Sequence, residues 1–310
     1  LIMITEIITT GTEILLGEID NENSRWLSEL LNRFGYTVAW QTTVGYNFDG
    51  LCSAMDTALH RADLVITTGG LGSTQGDLTK SAGASVLGVP SCLNREESDR
   101  LRAMYENNGR VYSQALERQA WFGENARLLP NEAGTASGCI LEKHGKISLH
   151  LPGPPFEMKQ MASNQMIPCL IEKNGPQGMI LSRVRSVQGL SESETERRIM
   201  DRMQKQSNPT LALYARTGFI ALRITARAES EDKAEELIEK EEALIKDRLP
   251  LGDYHMEAGI RDALTKIPIG RSLPGSAAEP CTGGLLGQLK TALPGSSSYF
   301  MGRAFRYQIS

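Results

Sequence analysis

The stretch Thr68-Gly69-Gly70-Leu71-Gly72-Ser73-Thr74, with Asp77 and Thr79 just beyond it, has the residue types of an anion site. Glycines after a strand let backbone N–H groups approach an anion with no side chain in the way, and a helix N-terminus past them adds positive potential. Ser73, Thr74 and Thr79 carry hydroxyls that can donate to phosphate oxygens, and Asp77 can hold a ribose-type hydroxyl or a divalent cation. Taken alone, a GGxG run is equally a tight turn with a capping residue. A second glycine loop, Gly11-Thr12-Glu13-Ile14-Leu15-Leu16-Gly17, precedes the polar cluster Asp20-Asn21-Glu22-Asn23, whose bland reading is helix capping. A third, Leu151-Pro152-Gly153-Pro154-Pro155-Phe156-Glu157-Met158, combines three prolines and a glycine into a stiff platform ahead of a helix. Glu157, in the first turn of that helix, either complements the helix dipole or touches a ligand.

The elements that must carry these loops follow a regular alternation. Met3 to Thr10 is an apolar, β-branched run that halts at Gly11, as a buried parallel strand does. Trp26, Leu27, Leu30, Leu31 and Phe34 recur at helical spacing before Gly35. Thr37 to Val44 reads as a strand, Leu51 to His60 as a helix, and Asp63 to Thr68 as a third strand ending at Gly69-Gly70. This β-α-β-α-β order predicts a parallel sheet covered on both faces, with ligands at the carboxyl ends of its strands. Helices are expected around Arg95 to Asn107 and Tyr112 to Ala120, a strand at Lys146 to Leu151 and a closing helix at Phe156 to Leu170.

Beyond Ile171 the composition changes, and Glu172 to Gly178 reads as a linker. A strand at Met179 to Val187, a helix at Ser191 to Met203, strands at Thr210 to Arg216 and Phe219 to Ala226, and an acidic helix at Glu231 to Arg248 predict a small α+β domain. Ser191 and Ser193 ahead of Glu194 have the pattern of a helix cap. The remainder, from about Met256 to Ser310, is rich in Gly, Ser and Pro.

Composition narrows the function classes. At 310 residues the chain has room for two or three domains, and 40% hydrophobic with 23% charged residues is ordinary for a globular protein. A net charge of −4, spread along the sequence, gives no field to attract nucleic acid. Cys52, Cys92, Cys139, Cys169 and Cys281 are odd in number and lack a C-x-x-C spacing, which argues against disulfides and structural zinc. His60, His144, His150 and His255 are scattered, and Trp26, Trp40 and Trp121 read as packing residues. With no long apolar segment and no leader-like N-terminus, the expectation is a cytoplasmic protein with no membrane partner.

Together, GTEILLG at Gly11 to Gly17, Asp20 to Asn23, Gln41 to Asn47, TGGLGSTQGDLT at Thr68 to Thr79, Asn131 to Ala136 and LPGPPFEM at Leu151 to Met158 resemble a known domain. It is the molybdopterin-binding-like domain of molybdenum-cofactor enzymes and, more closely, of the CinA family of competence/damage-inducible proteins. The resemblance covers nearly all of residues 1–170. The segment from about 176 to 250, including Asn208 to Ala212, resembles that family's KH-like domain. Ser272 to Phe300, with Glu279-Pro280-Cys281-Thr282-Gly283-Gly284, resembles the start of its nicotinamide-nucleotide amidase domain. The organisation this implies is α/β throughout. A three-layer, mostly parallel domain spans 1–172, a KH-like α+β domain 176–252 and a partial amidase-like segment 256–310.

The resemblance implies a metal-dependent pyrophosphatase acting on ADP-ribose or a related nucleotide, an amidase acting on nicotinamide mononucleotide, a role in NAD metabolism, and a homodimer. On that reading Gly11, Thr12, Asn23, Thr68 to Thr74, Thr79 and Pro152 to Pro154 hold the nucleotide. Asp77 contacts the divalent ion, whose identity is open, and Glu13 or Glu157 places or deprotonates water. Two departures stand out. The family usually has two adjacent aspartates where this chain has Gly76 before Asp77, and proline where it has Ser73. At the other end the family's ESCTGG serine is Pro280, which has no hydroxyl, and the chain stops three residues beyond Tyr307, so no amidase activity is expected. The alternative to catalysis is a module that binds molybdopterin or a nucleotide without turning it over. A nucleic-acid role is not expected, since the one nearby G-x-x-G spacing, Gly175 to Gly178, lies in the linker. The crowded Glu229, Glu231, Asp232, Glu235, Glu236, Glu239, Glu241 and Glu242 read as a solvated helical face.

Overall fold

In the computed structural model the described residues are 3–216, 219–253, 275–278, 284–291, 296–298 and 300–304. Cys281, Tyr307 and most of the amidase-like segment, including Glu279 to Gly283, lie outside them. The backbone divides into two compact units, residues 1–182 with 225–240, and residues 183–224 with 241–310.

The first unit is built on β1 (Ile4–Thr10), β2 (Thr37–Val44), β3 (Leu64–Thr68), β6 (Arg127–Leu129), β7 (Gly138–Lys143) and β8 (Lys146–Leu151), with the short β4 (Ser91–Leu93) and β5 (Trp121–Gly123) paired apart from them. The main sheet runs β2-β1-β3-β8-β7-β6; β1, β2, β3 and β8 are parallel, and β7 and β6 complete it antiparallel. Successive side chains on a strand face opposite sides, so Ile7 and Ile66 enter one core while their neighbours Ile8 and Val65 enter the other. The first core packs against α2 (Glu22–Arg33) through Leu27 and Leu31, and against the helix that starts as α7 (Pro155–Met161) through Met158. The second packs against α3 (Phe48–Arg61) through Leu51 and Met55, and against α4 (Thr79–Val86) through Ala82. A three-layer, mostly parallel α/β unit results.

Local signals explain the boundaries. Asn21 caps α2 by accepting from Ser24 N at 3.1 Å, and Asn47 caps α3 by accepting from Gly50 N at 2.8 Å. The closing helix does not stop where the composition changes: α7 passes through a π turn at Ala162–Met166 into α8 (Ile167–Asn174), so Glu172 to Asn174 are helical rather than linker. Ile167 and Leu170 on that last turn are buried in the first core, which holds the helix together past the compositional break.

Further along, β9 (Met179–Val187), β10 (Thr210–Arg216), β11 (Phe219–Ala228) and β12 (Leu251–Asp253) form a sheet in the order β10-β11-β9-β12, with α9 (Glu192–Gln204) and α10 (Glu231–Ile245) as its helices. Ser191 caps α9 by accepting from Glu194 N. The acidic run is only partly a solvated face. Glu241 is 5% exposed and takes both arms of Arg202, while Glu242 pairs with Arg183 and Arg185. Arginine forks satisfy both oxygens of a carboxylate at once, which lets these two acids turn inward.

Candidate functional site

The carboxyl ends of β1, β3 and β8 open into one cleft of about 780 Å³. Its lining includes Glu13, Asn23, Thr68, Gly69, Gly70, Leu71, Gly72, Asp77, Pro152, Gly153, Pro154 and Glu157. Three loops distant in sequence thus share one site because parallel strands all end at the same edge of the sheet.

Hydrogen bonds lock these loops to one another. Asn23, at the start of α2, donates from Nδ2 to Thr68 Oγ1 at 3.0 Å and to the Gly153 carbonyl at 2.7 Å. Thr68 Oγ1 in turn donates to the Pro152 carbonyl at 2.7 Å, and Gly69 N donates to Leu151 O at 3.0 Å. Asn23 therefore ties all three turns together with its amide hydrogens, and its buried Oδ1 has no hydrogen-bond partner among the described residues.

The glycine cradle has the geometry that only glycine accepts. Gly69 and Gly70 have φ of +99° and +70°. A Cβ on Gly69 would stand 2.5 Å from Thr10 Oγ1, and one on Gly70 would collide with Thr79 Oγ1. Thr79 is fully buried and donates to the Gly69 carbonyl at 2.7 Å, so its hydroxyl shapes the cradle from behind. Thr74 donates to Asp77 Oδ2 from both its amide, at 2.8 Å, and its hydroxyl, at 2.6 Å. Gly11, Thr12, Ser73, Thr74 and Thr79 stand outside the cleft lining; Thr12 Oγ1 accepts from Tyr46 N at 3.4 Å.

The three carboxylates all reach the cleft. Asp77 bends over the cradle, where a Cβ on Gly72 would meet its Oδ2 at 2.7 Å. Glu13 lies on α1 (Thr12–Leu15), a short helix inside what the sequence presents as a loop, and its Oε1 accepts from Tyr46 Oη at 3.0 Å. Partial burial, and then the Glu13 carboxylate, hold the Tyr46 phenol above its ordinary pKa, so it is a neutral donor. Glu157 Oε2 accepts from Asn131 Nδ2 at 2.7 Å.

Tyr46 and Asn131 belong to motifs quoted above, but nothing in their spacing marks them as site residues. Their signal is spatial: one arrives from the end of β2, the other from the turn ahead of β7. Behind the cradle a buried polar cluster is also invisible to spacing. His150 Nδ1 and Thr67 Oγ1 are 2.8 Å apart, and Lys80 Nζ donates to Gln119 O at 2.5 Å. Burial pushes Lys80 down to about 8 and, with the Lys80 charge adding to it, His150 down to about 3. Trp40 and Trp121, by contrast, are 37% and 44% exposed and not core residues, Trp40 lying under the Arg61 guanidinium.

Among the described residues no group of three or more His, Cys, Asp or Glu side chains could hold a metal ion. Of the carboxylates that line the cleft, Asp77 is the one that lies against the glycines of the cradle. Mg²⁺ is commonly held by one or two carboxylates together with water and substrate phosphates, so these residues fit a cation that arrives with a diphosphate. They do not form an all-protein cage. Among the described residues no helix is long and apolar enough to cross a membrane.

Comparison with known proteins agrees with this architecture. Residues 6–172 match the model of a probable molybdopterin binding domain, and residues 182–254 match the KH domain of the damage-inducible protein CinA. A CinA-like protein of Dictyoglomus thermophilum is 40% identical over 305 residues, covering 97% of this chain and 73% of that protein; a CinA-like protein of Dictyoglomus turgidum is 40% identical over 306 residues, with the same coverage. A crystal structure of CinA from Thermoplasma acidophilum, described as of unknown function, is 28% identical with a TM-score of 0.50, covering 56% of this chain and 98% of that one. The chain belongs to the CinA family, its first domain having the molybdopterin-binding-like fold.

Proposed function

We propose that the domain spanning residues 1–172 hydrolyses the diphosphate of ADP-ribose or a related nucleotide. The observation that carries this reading is the convergence of the glycine cradle, Asp77, Glu13 and Glu157 on one cleft. In this reading the amides of Gly70 to Gly72, which line the cleft, hold the diphosphate oxygens. Asp77 would hold a divalent cation, which would supply positive charge to neutralise the phosphoryl group. Glu13 and Glu157 each present a carboxylate to orient water and accept its proton. A P–O bond to water forms, the bridging P–O bond breaks, and AMP and ribose 5-phosphate leave. Support for ADP-ribose over other diphosphates comes from family resemblance. Pro280 in place of the amidase serine supports the proposal that nicotinamide mononucleotide is not a substrate.

A second reading is favoured by the lone carboxylate at the cradle, where Gly76 adds none: the cleft binds its nucleotide or pterin without turnover. Incubation with ADP-ribose and a panel of divalent ions separates the two, with AMP and, independently, ammonia from nicotinamide mononucleotide as readouts. The catalytic reading predicts metal-stimulated AMP release that Asp77→Ala reduces at least about 100-fold, the scale of removing one preorganised electrostatic group. Ligand-induced thermal stabilisation with no AMP supports the second reading. Undiminished AMP release by Asp77→Ala refutes the role given to that residue.

A further inference from the structure

The cleft is larger and less polar than a diphosphate requires. Its volume of about 780 Å³ lies well within the roughly 300–1,000 Å³ of small-molecule sites. Beside the glycine cradle its lining includes Ile14, Ile19 and Tyr46, and Ile19 and Tyr46 are 54% and 47% exposed. Exposed apolar side chains inside a concave site are surface that a fitting ligand covers.

Tyr46 is held at both ends. Its hydroxyl donates to Glu13 Oε1 at 3.0 Å, and its backbone N donates to Thr12 Oγ1 at 3.4 Å. The root of the ring rests against Gly76, where an added Cβ would find Tyr46 Cβ and Cγ at 3.5 Å. A ring tethered this way loses little rotamer freedom when a flat group settles on it, and its polar tip is already satisfied.

We propose that Tyr46 is the platform on which the heterocyclic base of the ligand stacks. The substrate class is then a diphosphate bearing a planar base, and not a sugar diphosphate or free pyrophosphate. This rests on the diphosphate reading of the cleft and adds to it the residue that recognises the other end of the molecule. Stacking uses the π face that every base has, so Tyr46 selects for a base without strongly choosing among bases.

The test follows the adenine H2 and H8 resonances and the affinity of ADP-ribose with the unmodified protein, Tyr46→Phe and Tyr46→Leu. Stacking predicts upfield ring-current shifts for the unmodified protein and for Tyr46→Phe, which keeps the ring but loses the Glu13 tether. Tyr46→Leu should lose the shift and bind about 5- to 150-fold more weakly, the range for one base on one aromatic ring. Saturable binding with no upfield shift, or full affinity in Tyr46→Leu, overturns the stacking proposal and leaves the diphosphate reading standing. No saturable binding by the unmodified protein overturns both.

Discussion

Acid should loosen the first domain through one residue, His150. Its side chain is fully buried at the end of β8, with Thr67 Oγ1 at Nδ1 and Gly83 so close to Nε2 that a methyl group there would collide. Burial first, and then the charge of Lys80, depress its pKa from 6.5 to about 3. The unfolded chain therefore takes up a proton below about pH 6.5 that the folded chain refuses until about pH 3, so stability is highest above this window and falls as the pH drops through it. At pH 5 the group is about 1.5 units below its unfolded pKa, which corresponds to ~2 kcal/mol, or roughly a 30-fold rise in the unfolding constant. All three tryptophans, Trp26, Trp40 and Trp121, lie in residues 1–182, so their fluorescence during urea unfolding reports on this unit. Denaturation at pH 7 and pH 5 is compared for the unmodified protein and His150→Gln; the variant loses some stability at both pH values, but the His150 contribution to the difference disappears. An equal pH difference in both proteins refutes the reasoning, as does a titration of His150 near pH 6.5 in the folded state.

Two further substitutions probe the carboxylates. Gly76→Asp supplies a second acid beside Asp77 at a position whose Cβ makes only ordinary contact with Tyr46. It should lower the half-saturating concentration of the activating cation by about tenfold, equivalent to ~1.4 kcal/mol, and an unchanged metal dependence in the turnover assay would count against Asp77 as a ligand. Gly134→Ala puts a methyl group onto the Glu157 carboxylate, which must swing away from Asn131. It should cut AMP release as deeply as Glu157→Gln while lowering Tm by only about 2–4 °C, as a ~1 kcal/mol change does in a domain of this size; full activity would remove Glu157 from the chemistry.

Much of this arrangement can be read along the chain. The strands at 37–44, 146–151 and 179–187 and the helix at 95–107 stand at the expected residues, and in 146–151 the alternation is the cause, since Ile147, Leu149 and Leu151 all enter the first core. The short β4, β5 and β6 carry three residues each, too few to show a period. A hairpin signal for β7 was present: His144 and Gly145, with φ of 52° and 76°, form the tight turn that joins it to β8. The loops of the cleft declare themselves through glycine and proline. How they are held together does not, because the Asn23 and Thr68 bonds link positions 45 and more residues apart. Likewise, threonines that look like phosphate donors serve internal acceptors: Thr79 the Gly69 carbonyl and Thr74 the Asp77 carboxylate.

The central claim is that turns from three separate strands make one diphosphate cradle. Amide chemical shifts of isotope-labelled protein, followed while ADP-ribose is added, test it residue by residue. The account predicts saturable shifts, largest at Gly70 to Gly72, with linked changes at Glu13, Asn23 and Gly153. Saturation with those amides unmoved and the response confined to residues 183–253 would contradict it.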